Sequence, residues 1–149
     1  MNSDFKDLLQ MLQEEQVEYL VVGGYAVIHH SQPRFTKDLD IWLRPTKENA
    51  LKVARTFRRF GIPLIGVTID DFADTGLQYA VGQEPSMIDF LTSIPGLDFD
   101  KCWESRVKAK EDNFQVIFLG KKDLITSKKT AGRLQDLADI DELNRANPC

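Results

Sequence analysis

An α/β (α+β) fold, with one small mixed β-sheet flanked by helices and closed by a C-terminal helix or helix pair, is predicted by three observations. Short apolar runs rich in β-formers recur at Tyr19–Val22, 38–43 and 87–91, and stretches of helical periodicity fall between them. Gly23-Gly24, Pro45-Thr46 and Pro95-Gly96 punctuate those runs as turns do. The chain of 149 residues is 42% hydrophobic, which matches one buried core and predicts one domain over 1–149.

Taken in order, Phe5, Leu8, Leu9 and Leu12 recur at three- and four-residue spacing among acids and glutamines, predicting an amphipathic first helix that ends near Gln16. Tyr19-Leu20-Val21-Val22 reads as a buried strand stopped by Gly23-Gly24, and residues 25–30 as a short helix starting at that turn. Pro33 discourages further helix, and Asp38-Leu39-Asp40-Ile41-Trp42-Leu43 alternates as a strand does. Thr46 or a neighbour caps the clearest helix, Lys47–Phe60, whose inward side is Ala50, Leu51, Val53, Ala54 and Phe57; Gly61 ends it.

Strands are predicted at 64–69 and 78–81, separated by an acidic loop around Asp70, Asp71 and Asp74. A firmer strand, Met87-Ile88-Asp89-Phe90-Leu91, precedes a short helix with Phe99, Cys102 and Trp103. Residues 107–110 and 115–119 flank Glu111-Asp112-Asn113 as a hairpin. In the last segment, Leu124, Ile125, Leu134, Leu137, Ile140 and Leu143 repeat as in a long helix or a bent pair.

A net charge of −4 argues against coating nucleic acid by charge alone, so a bound anion needs a metal or a local basic patch. Cys102 and Cys149 lie far apart without zinc-ligand spacing and read as free thiols. The first fifteen residues mix charge into the apolar pattern, which fits neither a signal peptide nor a membrane span and makes the cytoplasm the default location.

Residues two apart on a strand share a face, so Asp38 and Asp40 project together while Leu39 and Ile41 enter the apolar side. Two carboxylates about 4 Å apart repel by about 1 kcal/mol in water and about 4 kcal/mol at an effective dielectric of 20, which a divalent cation offsets. Asp89 is a single acid in an apolar run; with its strand beside that of Asp38 and Asp40, the three form the oxygen set that Mg²⁺ prefers. The missing Cβ atoms of Gly23 and Gly24 let backbone N–H groups approach a phosphate at a helix N-terminus, with Arg34 and Lys37 placed to neutralise outer phosphates.

Each feature has a plainer reading. The acid pair fits a solvated strand edge paired with Lys37 or Arg44, Gly23-Gly24 a simple turn, and Asp89 a buried acid matched to an arginine. Their combination is what favours a site. His29 and His30 read as capping or packing residues, Trp42 as core, and Lys128, Lys129 and Arg133 equally as a solvated face or a phosphate contact.

Gly23-Gly24 followed by Asp38-Leu39-Asp40 and a later strand acid, Asp89, resembles the nucleotidyltransferase superfamily that includes DNA polymerase beta and kanamycin nucleotidyltransferase. GGYAVIHH, RFTKDLDIWL and LITSKKTAGRLQDLADIDEL look most like bacterial minimal nucleotidyltransferases related to the AbiEii toxin. The resemblance implies that Gly23 and Gly24 bind the phosphates of a nucleoside triphosphate (NTP) and that Asp38 and Asp40 bind two Mg²⁺. It also implies that Asp89 ligates one metal and serves as base, and that Lys128 contacts phosphate or substrate. The implied activity is transfer of a nucleoside monophosphate to a hydroxyl of a protein or RNA acceptor, with an antitoxin or a helical toxin as the protein partner. Two alternatives stand beside it: a catalytically silent nucleotide- or partner-binding module, and a small-molecule (antibiotic) nucleotidyltransferase supported by the Asp70, Asp71 and Asp74 cluster.

Overall fold

The computed structural model describes residues 1–84 and 86–146; Cys149 lies outside them, while Cys102 is a buried free thiol. Helix α1 (Ser3–Glu14) starts where the Asn2 side chain accepts from the Phe5 amide, and it buries the expected Phe5, Leu8, Leu9 and Leu12. Strand β1 (Tyr19–Val22) is buried throughout and runs directly into α2 (Gly23–His30). Strand β2 (Leu39–Leu43) begins one residue later than expected, leaving Asp38 at its entrance.

Helix α3 (Lys47–Phe60) is capped by Thr46, whose hydroxyl accepts from the Asn49 amide, and it ends at Gly61. Its inward face holds Ala50, Val53, Thr56 and Phe57, but Leu51 is exposed, contrary to the sequence expectation. The helix rotates Leu51 outward because Asn49 takes an inner position, bonding to the backbone of Glu18 at 2.8 and 3.0 Å and of Arg44 at 3.1 Å. Three bonds to one buried amide tie the start of β1 and the exit of β2 to this helix.

No strand forms at 64–69. Gly66 has φ of +73°, Ile65 is exposed, and the Asp71 side chain accepts from the Thr68 amide, so this segment leads into a 3₁₀ turn at Ile69–Ala73. Local side-chain capping satisfies the backbone that a strand would have had to pair. The remaining strands are β3 (Gln78–Gln83), β4 (Ser86–Leu91), β5 (Val107–Glu111) and β6 (Phe114–Phe118), with α4 (Phe99–Glu104) between β4 and β5.

The six strands form one mixed sheet in the order β3-β4-β2-β1-β6-β5. Strand β2 is antiparallel to β1 and parallel to β4, so the centre of the sheet joins the strands that carry the acids. The edge strands β3 and β5 pair antiparallel with β4 and β6. Phe90 packs on Phe57 of α3 and Phe57 on Phe72 of the 3₁₀ turn, filling the sheet face opposite the acids.

The C-terminal segment is a bent pair, α5 (Lys121–Ala131) and α6 (Leu134–Arg145), broken at Gly132, whose left-handed φ of +66° suits glycine. Its inner face departs from expectation. Leu134 and Leu137 are exposed, while Asp136, Asp139 and Leu143 are buried, because the two acids turn inward to meet cations from α5 and from the loop after α2.

Candidate active site

Asp40 and Asp89 are direct partners across the parallel β2–β4 pair, one step along from the Leu39↔Ile88 and Ile41↔Phe90 pairs that bury the other face. Strand alternation therefore places both carboxylates on the side away from Phe90. Burial, together with the neighbouring charges of Asp89 and Asp38, pushes the Asp40 carboxyl up to about 7, and Lys128 only partly offsets this. Asp38 Oδ1 is buried without a hydrogen-bond partner.

The turn after β1 closes this face. Val22 pairs with Asp40, and Gly23 follows with φ of +68°. A Cβ on Gly23 would collide with Asp40 Oδ2 and lie 2.9 Å from its Cγ, so only glycine allows the carboxylate to rest against the start of α2. Gly24 has the same restriction for a different reason: a Cβ there would meet Thr36 Oγ1 at 2.6 Å and Arg34 Nη2 at 3.7 Å. A hydroxyl and a guanidinium thus reach the helix N-terminus, where backbone N–H groups favour an anion.

The predicted cations behave differently from one another. Lys128 lies 3.3 Å from Asp136 Oδ1 and 2.9 Å from Asp139 Oδ2 and is nearly buried. Arg34 pairs with Asp139 through Nη1, and its Nε is buried without a partner. Lys37 is exposed and pairs with Glu84 at 2.8 Å, and it does not line the cleft that Gly23, Asp40 and Lys128 share. Arg133 closes on Asp136 at 2.7 Å and its amide is capped by the same carboxylate. Burial pushes the Asp139 carboxyl up, but Lys128, Arg34 and Gln135 outweigh it and hold it below the usual range. The Arg133 hydrogen bond does most to hold Asp136 down.

Part of this cluster, Gly23, Asp40, Lys128, Arg133 and Asp136, lines a cleft of about 450 Å³, whereas Arg34 and Thr36 line a separate pocket and Asp38 and Asp89 line neither. Gly23, Asp40 and Lys128 are among its polar lining, and Leu77, Leu91 and Ile94 contribute apolar surface. Asp70, Asp71 and Asp74 do not line it. Trp42, on the face of Asp40, is core as expected: it is 1% exposed and packs edge-on against Phe99 at 5.0 Å. His29 stacks on Phe118 and His30 bonds to the Leu119 carbonyl, both packing roles.

Among the described residues, no group of three or more His, Cys, Asp or Glu forms a ready-made metal cage. The acids nevertheless fit a hard divalent cation: burial and then the neighbouring acids, offset only in part by Lys128, hold Asp40 in an elevated range, and Asp38 presents an orphaned buried oxygen. Of the residues named from sequence, Gly23, Asp40 and Lys128 line this cleft; Asp89 is the strand partner of Asp40, Gly24 follows Gly23 in the turn, and Asp38 stands at the strand entrance. Sequence reasoning missed Thr36, Asp136 and Asp139. The last two follow Lys128 at eight and eleven residues, and only the bend at Gly132 brings them back to it.

The family model described as "Nucleotidyltransferase of unknown function (DUF6036)" matches residues 3–147. Among solved structures, the lincosamide antibiotic adenylyltransferase LnuA with lincomycin bound matches with TM-score 0.60 at 12% identity, covering 99% of this chain and 98% of that one. A nucleotidyltransferase candidate from Thermotoga maritima matches with TM-score 0.62 at 12% identity, covering 92% and 88%. An antigenic nucleotidyltransferase-like protein from Paracoccidioides brasiliensis matches with TM-score 0.58 at 18% identity, covering 92% and 72%. At these identities the structures share the fold, a six-stranded mixed sheet flanked by helices. No curated protein sequence matches. Among the described residues, no helix is long and apolar enough to cross a membrane.

Proposed function

The chain belongs to the DUF6036 family of nucleotidyltransferases, and from that premise we propose a single-domain enzyme, 1–149, that moves a nucleoside monophosphate from an NTP to an acceptor hydroxyl. The observation that carries the reading is the contact of Asp40 with the Gly23 turn, beside its in-register partner Asp89. It sets an acid cluster suited to Mg²⁺ directly against a helix N-terminus suited to phosphate.

In this reading Gly23 and Gly24 present backbone N–H groups to the triphosphate, while Arg34, Lys37 and Lys128 supply charge. Asp38, Asp40 and Asp89 are the residues that would hold two Mg²⁺, and these would supply neutralisation of the charge that develops in the transfer. Asp89 takes the proton of the acceptor hydroxyl. The new bond joins that oxygen to the α-phosphorus, the bond from the α-phosphorus to the bridging oxygen breaks, and pyrophosphate leaves. The two glycines keep α2 close enough for the phosphates and Asp40 to share one space.

The phrases GGYAVIHH, RFTKDLDIWL and LITSKKTAGRLQDLADIDEL support placement beside AbiEii-type enzymes, a protein or RNA acceptor, and a toxin–antitoxin setting in the cytoplasm with a protein partner. A second reading takes a small-molecule acceptor. It is favoured by the near-complete mutual coverage with the lincomycin-bound adenylyltransferase and by a predominantly apolar cleft of drug-sized volume. A silent nucleotide- or partner-binding module is the remaining alternative.

The test is label transfer from each α-³²P-labelled NTP, with pyrophosphate release, against separated protein, RNA and small-molecule fractions of a cell extract. Metal-dependent labelling of the macromolecular fractions supports the first reading, and labelling of the small-molecule fraction alone supports the second. Nucleotide binding without release in any fraction means a silent module.

A further inference from the structure

Asp136 and Asp139 are each 1% exposed, yet they lie on a helix whose leucines at 134 and 137 face solvent. Apolar side chains at 136 and 139 would fill the same space without the desolvation cost of two carboxylates. The acids are matched by three cations, Lys128, Arg34 and Arg133, which leaves the cluster with an excess of one positive charge.

Two of those cations have somewhere else to act. Lys128 lines the cleft with Gly23 and Asp40, and Arg34 lies against Gly24 with its Nε unpartnered. Among the described residues, Asp139 is the carboxylate that pairs with both. It joins the loop after α2 to helix α5, so that two cations from separate parts of the chain converge on one turn. Without it, a lysine and an arginine at the end of flexible stems would have to be ordered at the moment an anion bound.

We infer that the buried Asp136–Asp139 pair is a positioning device that holds Lys128 and Arg34 around the Gly23-Gly24 turn to receive a polyphosphate. Asp139 is the central residue; of the two positioned cations Asp136 meets only Lys128, and it also pairs with Arg133. The inference rests on the proposed donor site, and it assigns these acids no contact with substrate.

The test compares Asp139→Asn with wild type by calorimetric titration of NTP, the corresponding diphosphate and monophosphate in Mg²⁺, with thermal melts as the check on folding. Loss of positioning weakens NTP binding by about tenfold and leaves monophosphate binding nearly unchanged, so the preference for more phosphates collapses. Asp136→Asn, which leaves the Arg34 pair intact, shows a smaller loss of the same kind and serves if Asp139→Asn does not fold. In an Arg34→Gln/Lys128→Gln background, Asp139→Asn adds no further loss.

Simple electrostatics predicts the opposite sign, because removing a negative charge near an anion site tightens anion binding. Unchanged or tighter NTP binding therefore overturns the inference. An equal loss for triphosphate and monophosphate does so too, since it marks a merely structural role. A wild type that binds none of the three overturns the donor site itself, and the positioning role with it.

Discussion

Asp40 on β2 and Asp89 on β4 stand directly opposite each other across a parallel strand pair, and the Asp40 carboxylate rests on Gly23 at the start of α2. A sheet that brings two acids together in its centre must either protonate one of them or bring in a cation.

The first prediction follows from that choice. The Asp40 carboxyl is raised to about 7, far above its unfolded value of roughly 3.9, so the native state binds more protons between those limits. In chelator, this group's cost to stability is absent below about pH 4, grows as pH rises, and is complete above about pH 7. Asp40→Asn should therefore melt higher than wild type at pH 8, by on the order of 5 °C, with the difference shrinking towards pH 4. Mg²⁺ should raise the wild-type melting temperature more at pH 8 than at pH 5 and should not raise that of the variant. Scanning calorimetry across this range checks both signs.

Gly23→Ala is predicted to separate fold from function. The left-handed backbone costs about 1 kcal/mol for alanine, and the new methyl displaces the Asp40 carboxylate. The protein should remain folded by circular dichroism while pyrophosphate release falls at least ~100-fold. Near-wild-type release would show that the contact between Asp40 and the turn is incidental.

Asp89→Asn keeps the shape of the strand partner but removes the proposed base. Transfer should fall by about 10²–10⁴-fold with NTP binding spared. Labelling at the wild-type rate would sink the assignment of Asp89.

Asn49→Ala tests what holds the acid-bearing strand in place. Its side chain makes three hydrogen bonds to the backbone of Glu18 and Arg44, which flank β1 and β2. Leaving those buried groups unpaired should cost about 2–3 kcal/mol in urea unfolding, with the slope of the transition unchanged. Because Asn49 lies off the cleft, NTP affinity should change little.

Much of the centre of the molecule was legible in the residues. Period-two alternation at Asp38–Leu39–Asp40–Ile41 and the lone acid at 89 located the two strands, and Gly23-Gly24 located the turn between strand and helix. Asp136 and Asp139 were not legible, because helical periodicity treats acids as solvent-facing and leucines as core. In α6 that order is reversed by ion pairs to Lys128 and Arg34, whose proximity depends on the tertiary path. The apolar run at 64–69 misled for a local reason: Gly66 and the Asp71 cap give its backbone a cheaper conformation than a strand. Thr36 sits against Gly24 only through the return of the loop before β2, which no spacing rule reveals.

The most direct measurement is calorimetric titration of each NTP with Mg²⁺ into wild type and into Asp38→Asn/Asp40→Asn. The account predicts Mg²⁺-dependent binding of at least one NTP to wild type and its loss in the double variant. Wild type that binds no NTP with Mg²⁺, or a double variant that binds as wild type does, would contradict it: the acids beside the Gly23 turn would then be structural.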